Sequence, residues 1–112
     1  MTDDLELKQL GQFIGTVNYY DVMGVTITDG IKYVMKNGYS WFITDAIVII
    51  KMKFKDEGFL AVKLILKDDG AEMRITDGND KTLYTQAYTY TDAKRELTLF
   101  YDNTVLILSG EY

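Results

Sequence analysis

The 112-residue chain contains no histidine, no cysteine and no proline. Without cysteine it has neither disulfides nor thiolate metal ligands, and without histidine it lacks the commonest general base and metal ligand. Zinc centres and Ser–His or Cys–His nucleophile pairs are therefore excluded or weakened. We expect a protein that is not an enzyme, with no catalytic residues, no metal and no cofactor.

The length and the net charge of the chain limit the number of domains and the kinds of partner that we expect. The length is close to the commonest domain size, which predicts one domain over residues 1–112. The chain has twelve basic and seventeen acidic residues, which give a net charge of −5. Binding to phosphate backbones requires clustered lysine and arginine, so we expect no direct contact with nucleic acid.

The sequence shows no signal for secretion or membrane insertion. Residues 1–6 are acidic where a signal peptide would be basic. The longest apolar run, Ala46 to Ile50, is far too short to span a bilayer. We expect a cytoplasmic protein with no membrane association.

The first half of the chain is predicted to be helical. Apolar residues between positions 5 and 14 recur every two to four residues, as on one face of a short helix. A second helix is expected over residues 30–38, with Asp29 as its N-cap and Asn37-Gly38 as its end.

Residues 40–53 leave two alternatives open. The β-branched run from Ile47 to Ile50 favours a strand. About twelve residues without a breaker exceed the usual strand length, which favours a helix. We prefer the helix.

The second half alternates between apolar and polar residues and is interrupted by Asp, Asn and Gly turns, which predicts an antiparallel β-meander of four to five strands. The fold class is therefore α+β, with N-terminal helices packed on one face of this meander. Without proline, its edges need charges such as Lys63, Glu72 or Glu96, or a partner, for protection. The predicted strands are residues 59–67, 71–75, 82–91, 96–101 and 104–108.

Four sequence elements are shared with a known family. They are Phe13-Ile14-Gly15-Thr16-Val17-Asn18-Tyr19-Tyr20, Thr28-Asp29-Gly30-Ile31-Lys32-Tyr33, Trp41-Phe42-Ile43-Thr44-Asp45-Ala46-Ile47 and Ser109-Gly110-Glu111-Tyr112. On these elements the chain resembles an uncharacterised family of small bacterial, phage and plasmid proteins, a domain of unknown function. The resemblance implies a mobile-element context, in which a counter-defence role is expected.

Two carboxylates are candidates for a pocket. Asp29 and Asp45, with Trp41, would line it between helices and sheet in a small enzyme or ligand-binding domain. In the alternative, both carboxylates are structural. Asp29 would then cap a helix, and Asp45 would pair with Lys32 or a backbone amide.

A polar, tyrosine-rich stripe is the main candidate for protein contact. Tyr84, Gln86, Tyr88 and Tyr90 alternate along one predicted strand and therefore share a face. Tyrosines presented in this way give interfaces large contact areas at low entropic cost. The alternative, a stripe packed beneath the helices, stays open at this point.

These observations predict a non-catalytic protein-binding module from a mobile element. It would stoichiometrically inhibit a host nucleic-acid-handling defence complex of the CRISPR or restriction type, with its acidic clusters steering it to a basic surface. The alternatives are the carboxylate-pocket domain described above and a structural homo-oligomer.

Overall fold

The computed structural model describes residues 18–79, 81–89 and 93–111. Two helices and a seven-stranded sheet occupy this part of the chain, which confirms the α+β class and corrects the predicted four to five strands. The helix predicted over residues 5–14 lies outside the described residues. The strands are β1 Tyr19–Val22, β2 Val25–Thr28, β3 Phe59–Lys67, β4 Gly70–Thr76, β5 Thr82–Tyr88, β6 Leu97–Asp102 and β7 Val105–Leu108, and the helices are α1 Asp29–Val34 and α2 Ser40–Lys53.

The sheet does not continue as a meander. Its order is β1-β2-β7-β6-β3-β4-β5. Strands β3, β4 and β5 are consecutive antiparallel neighbours, but β6 pairs with the other side of β3. Turn residues predict hairpins between sequence neighbours, and the β5–β6 connection is not a hairpin. As a result β5 is an edge strand.

The β1–β2 hairpin was not predicted. Its turn consists of Met23 and Gly24, with φ of +55° and +85°. Two consecutive positive φ angles are typical of the type I′ turn that joins tightly paired strands. Methionine is unusual in such a turn, so the sequence gives little sign of it.

Helix α1 begins at Asp29, so its N-cap lies one residue earlier than predicted. Thr28 is the N-cap, and its Oγ1 accepts a hydrogen bond from the Ile31 N–H at 3.4 Å. The prediction that Asp29 is the cap was therefore wrong, because Asp29 is already helical. A π-type segment, Met35–Tyr39, follows, and Gly38 with φ of +104° turns the chain into α2.

Residues 40–53 form a helix, as we preferred. Its buried residues recur at helical spacing, which puts them on one stripe against the sheet. Burial of this stripe outweighs the strand preference of the β-branched run. The buried residues are Phe42, Ile43, Ala46, Ile47 and Ile50. No helix in the described part of the chain is both long and apolar enough to cross a bilayer.

The two faces of the sheet differ in charge. Alternate β3 residues, Leu60, Val62 and Leu64, are fully buried in the core that the helices share. On the opposite face, the Arg74 guanidinium lies 2.8 Å from the Glu72 carboxylate.

Lys63 and Glu72 stand on the interior strands β3 and β4, and Glu96 precedes the interior strand β6. None of these three charges therefore lies on an edge strand, where we had expected them.

Glu111 joins the C-terminal end of the chain to the start of α1. This side chain is only 7% exposed, and its carboxylate accepts three hydrogen bonds. The Thr28 hydroxyl donates to Oε1 at 2.6 Å, the Gly30 N–H to Oε2 at 3.0 Å, and the Leu108 N–H to Oε1 at 3.0 Å. These bonds offset the cost of burying a carboxylate. One of them also satisfies the Gly30 amide, which lies at the helix start and lacks a helical partner.

Replacing Gly30 with alanine should lower the free energy of unfolding by about 3 kcal/mol. A Cβ at this position would lie 2.5 Å from Glu111 Oε1, so the carboxylate would have to move. Overpacking costs about 1–3 kcal/mol and a charge-assisted hydrogen bond contributes about 1.5–3 kcal/mol. The higher helix propensity of alanine recovers only about 1 kcal/mol. Urea unfolding monitored by circular dichroism measures the change.

Gly110→Ala is the matched control. A Cβ there meets no atom within 4 Å, so its effect should stay within about 0.5 kcal/mol. If both variants lost equal stability, the contact between Gly30 and Glu111 would not be the cause.

Candidate functional site

The tyrosine stripe lies on the helix-covered face of the sheet. Its residues Tyr84, Gln86 and Tyr88 pair across the strands with buried residues of β4, and directly paired residues share a face. The stripe is therefore packed beside α2 with its outer side still accessible, while Tyr90 lies outside the described residues. The β4 partners are Ile75, Met73 and Ala71, in that order.

A chain of hydrogen bonds links this stripe to α2. The Tyr88 hydroxyl donates to Asp45 Oδ2 at 2.9 Å, and Gln86 Nε2 lies 3.5 Å from the same oxygen. The Tyr84 hydroxyl donates to Gln86 Oε1 at 2.9 Å. The partners of Asp45 are therefore side chains of β5, and neither Lys32 nor a backbone amide is among them.

Aromatic contacts hold the same region rigidly. The rings of Trp41 and Tyr88 meet edge to face, with centroids 4.9 Å apart, and Phe54 meets Tyr84 in the same way at 6.5 Å. Trp41 Nε1 also donates to the Gly38 carbonyl at 2.9 Å. We call Trp41, Asp45, Tyr84, Gln86 and Tyr88 the β5 seam. Its side chains therefore contact one another or α2 without any partner present.

Burial raises the pKa of the Tyr88 hydroxyl, and the hydrogen bond to the Asp45 carboxylate raises it further. The hydroxyl is therefore a neutral donor at all physiological pH values. The seam therefore presents aromatic surface together with the neutral hydroxyl of Tyr88 and the carboxylate of Asp45.

A second region lies at the other edge of the sheet, between β1 and α1. The Tyr20 hydroxyl donates to Asp29 Oδ1 at 3.0 Å, and the Asn18 N–H donates to Asp29 Oδ2 at 3.0 Å. The first of these bonds is the main reason that the pKa of Tyr20 is raised. The Lys32 ammonium stands 3.9 Å from the centroid of the Tyr20 ring. We call the space between this strand and helix the β1 cleft.

The pocket predicted from Asp29, Trp41 and Asp45 is not formed. Asp29 contacts β1 and Asp45 contacts β5, which are the two edge strands. Six inter-strand steps separate these edges, or roughly 29 Å at about 4.8 Å a step. Only Trp41 and Asp45 lie together, both in the β5 seam. Among residues 18–79, 81–89 and 93–111, no group of three or more carboxylates could hold a metal ion.

Sequence reasoning missed the basic residues of the β1 cleft. Lys32 and Lys36 are four residues apart, a spacing that places side chains on one helical face. That signal was visible in the sequence. What they face depends on the β1–β2 hairpin, which was not predicted.

Comparison with known proteins identifies a family without assigning an activity. The sequence model of a family of unknown function (DUF6876) matches residues 4–112. Because this match covers nearly the whole chain, the chain belongs to that family, and the predicted resemblance to an uncharacterised domain is confirmed. No curated protein and no solved structure matches the chain.

The raised pKa of Tyr88 predicts a loss of stability at alkaline pH. Below about pH 10, the ordinary tyrosine pKa, folded and unfolded chains both keep the proton and its contribution is complete. Above that pH the unfolded chain releases the proton first, so stability falls as pH rises toward the folded pKa. Tyr88→Phe should lose about 1–2 kcal/mol at pH 7 and show a shallower decline above pH 10. Urea unfolding at pH 7–11 tests both effects.

Tyr19→Phe serves as the control, because Tyr19 is 59% exposed. It should match the unsubstituted protein at each pH. Parallel pH profiles for Tyr88→Phe and the unsubstituted protein would contradict the assignment.

Proposed function

We propose that this DUF6876 protein is a non-catalytic protein-binding module whose contact surface is strand β5 together with the β5 seam. The proposal rests mainly on the position of β5 at the edge of the sheet. It pairs with β4 on one side and with no strand of the described residues on the other. Its outer backbone donors and acceptors can therefore pair with an added strand.

The composition of β5 supports this role. Its seven residues, Thr-Leu-Tyr-Thr-Gln-Ala-Tyr, include no charge, no glycine and no proline. Natural edge strands are commonly protected by lysine, proline, a bulge or short length. The β4–β5 ladder has a register shift near the start of β5, opposite Ile75 and Thr76, and β5 pairs regularly from Tyr84 to Tyr88. The other edge strand, β1, has four residues and carries Asp21. The longer, uncharged edge is the one suited to a partner.

The seam adds side-chain contacts to the backbone pairing. Tyr84 and Tyr88 are partly exposed, and both hydroxyls are already fixed by hydrogen bonds. Ordered aromatic side chains lose little conformational entropy on binding, which favours them as interface anchors. The main chain would provide affinity and the seam would provide specificity.

The negative net charge of the chain supports a partner with a basic surface. The net charge of −5 would attract a basic surface over long range and raise the association rate. We propose that this partner is a protein of a host nucleic-acid-handling defence complex. The chain would inhibit this complex stoichiometrically, as anti-CRISPR or anti-restriction proteins do, by covering a surface that otherwise meets nucleic acid.

Ala87→Lys should abolish partner binding with the fold intact. Ala87 is exposed on β5 and pairs with Glu72, so the new lysine has an acidic neighbour within its own sheet. A charge on the edge disfavours strand addition. In pull-downs from a lysate of the encoding organism, with identification by mass spectrometry, the captured partner should fall about tenfold or more, equivalent to about 1.4 kcal/mol.

Thr104→Lys is the matched control. It adds the same charge at an exposed turn position, remote from β5 in the sheet order. It should capture as much partner as the unsubstituted protein. Equal capture by Ala87→Lys, with an unchanged circular dichroism spectrum, would contradict the proposal.

Light scattering at two protein concentrations separates a host partner from self-association. Strand β5 has no charged residue, so charge repulsion would not oppose pairing between the β5 edges of two copies of the chain. A dimer that dissociates on dilution, and that Ala87→Lys prevents, would favour the homo-oligomer. A monomer at both concentrations supports the host partner.

A further inference from the structure

We propose that the β1 cleft binds a small organic anion, an aromatic phosphate or carboxylate, whose charged group lies between Lys32 and Lys36. The site is at the opposite edge of the sheet from the β5 seam and is independent of protein binding there. It is not the predicted carboxylate pocket, because Trp41 and Asp45 are not among the residues that line it.

The cleft has the size and lining of a ligand site. It is an open groove with a volume of about 460 Å³, and small-molecule sites commonly measure about 300–1,000 Å³. An adjoining space of about 280 Å³, also lined by Tyr33, shares Tyr20, Lys32 and Lys36 with it. The apolar part of the main cavity is formed by Val22, Ile27 and Met35.

The hairpin explains why this lining faces the helix. Tyr20 and Val22 alternate along β1 and pair with Ile27 and Val25, both buried in the core. Alternate residues of a strand point to one face. The rings and methyl groups of β1 and β2 therefore form one wall of the cleft, and α1 with the following segment forms the other.

The two lysines are available to a ligand. Neither Lys32 nor Lys36 forms an ion pair within the described part of the chain. The Lys32 ammonium rests instead over the Tyr20 ring, at 3.9 Å from its centroid. This contact holds one positive charge at the wall of the cavity without neutralising it.

Nearby carboxylates do not occupy the lysines. Both oxygens of Asp29 already accept hydrogen bonds, one from Tyr20 and one from the Asn18 amide. Asp21 also borders the larger cavity. It alternates with Tyr20 along β1, so its side chain leaves the strand on the opposite face, and it forms no ion pair with either lysine within the described residues. Two aspartates as well as two lysines therefore border the cleft, and the ammonium groups of Lys32 and Lys36 are the charges that no ion pair within the described residues occupies.

These features define the ligand class. Two ammonium groups four residues apart on one helical face suit a phosphate or a carboxylate, since lysine acts as a point charge toward anions. The apolar wall requires an apolar body next to that charge. A bare inorganic anion would leave the wall uncovered, and a neutral aromatic compound would leave the lysines unpaired.

Phenyl phosphate and phenylacetate are the probes, titrated into the ¹⁵N-labelled full-length protein and followed by NMR. At least one should give saturable shifts at residues 20, 32 and 36, with a Kd on the order of 1 mM or tighter. The probe that binds more tightly distinguishes phosphate from carboxylate. Phenol and inorganic phosphate should each bind at least about tenfold more weakly than that probe.

The double variant Lys32→Gln/Lys36→Gln should lose the saturable shifts, because it removes both charges and keeps most of each side-chain stem. Lys53→Gln/Lys55→Gln changes the net charge by the same amount at two exposed positions beyond the cleft, and it should bind like the unsubstituted protein.

Three results would overturn the proposal. They are no saturable binding of either probe, equal loss of binding in both double variants, and binding of phenol or inorganic phosphate as tight as that of the better probe. Amide spectra of all variants establish that the fold is retained, so an unfolded variant is not counted as a loss of binding.

Discussion

The buried carboxylate of Glu111 is the interaction on which the rest of the structure depends. Two of its three donors come from the consecutive elements β2 and α1, and the third comes from the end of β7, which lies far from them in the sequence. The parallel contact between β2 and β7 comprises only two residue pairs, Thr26 with Val105 and Ile27 with Leu106. Such a short ladder contributes few backbone hydrogen bonds. The Glu111 carboxylate reinforces it, and this fixes the position of α1 and of the β1 cleft.

Two tyrosine–aspartate hydrogen bonds attach the two edge strands of the sheet to the helices. Tyr20 ties β1 to Asp29 at the start of α1, and Tyr88 ties β5 to Asp45 in α2. An edge strand has a neighbour on one side only, so side-chain bonds to a helix replace part of the missing support. Both carboxylates that sequence reasoning considered for acid–base chemistry are engaged in this way. The outer edge of β5 and the lysines of the β1 cleft are the parts of these two regions that we propose as binding sites.

Several shared sequence elements find their explanation in this network. Thr28 and Gly30, from the Thr-Asp-Gly element, contact Glu111, from the C-terminal Ser-x-Glu-Tyr element. Trp41 and Asp45 belong to one element and converge on Tyr88. Each element was visible in the sequence. The contacts join residues separated by more than forty positions, and no local pattern indicates such partners.

The sequence alone determined the five strands between residues 59 and 108 and the α+β class, because alternation along a strand is a local property. It left residues 40–53 open between helix and strand, and burial of their apolar stripe decided for the helix. It also determined that histidine and cysteine chemistry is absent. Only the tertiary structure decided the order of the strands, the faces that Tyr84 and Lys32 occupy and the wide separation of Asp29 from Asp45. The physical reason is that a strand can satisfy its backbone against any compatible edge. The choice among edges rests on the packing of the whole core.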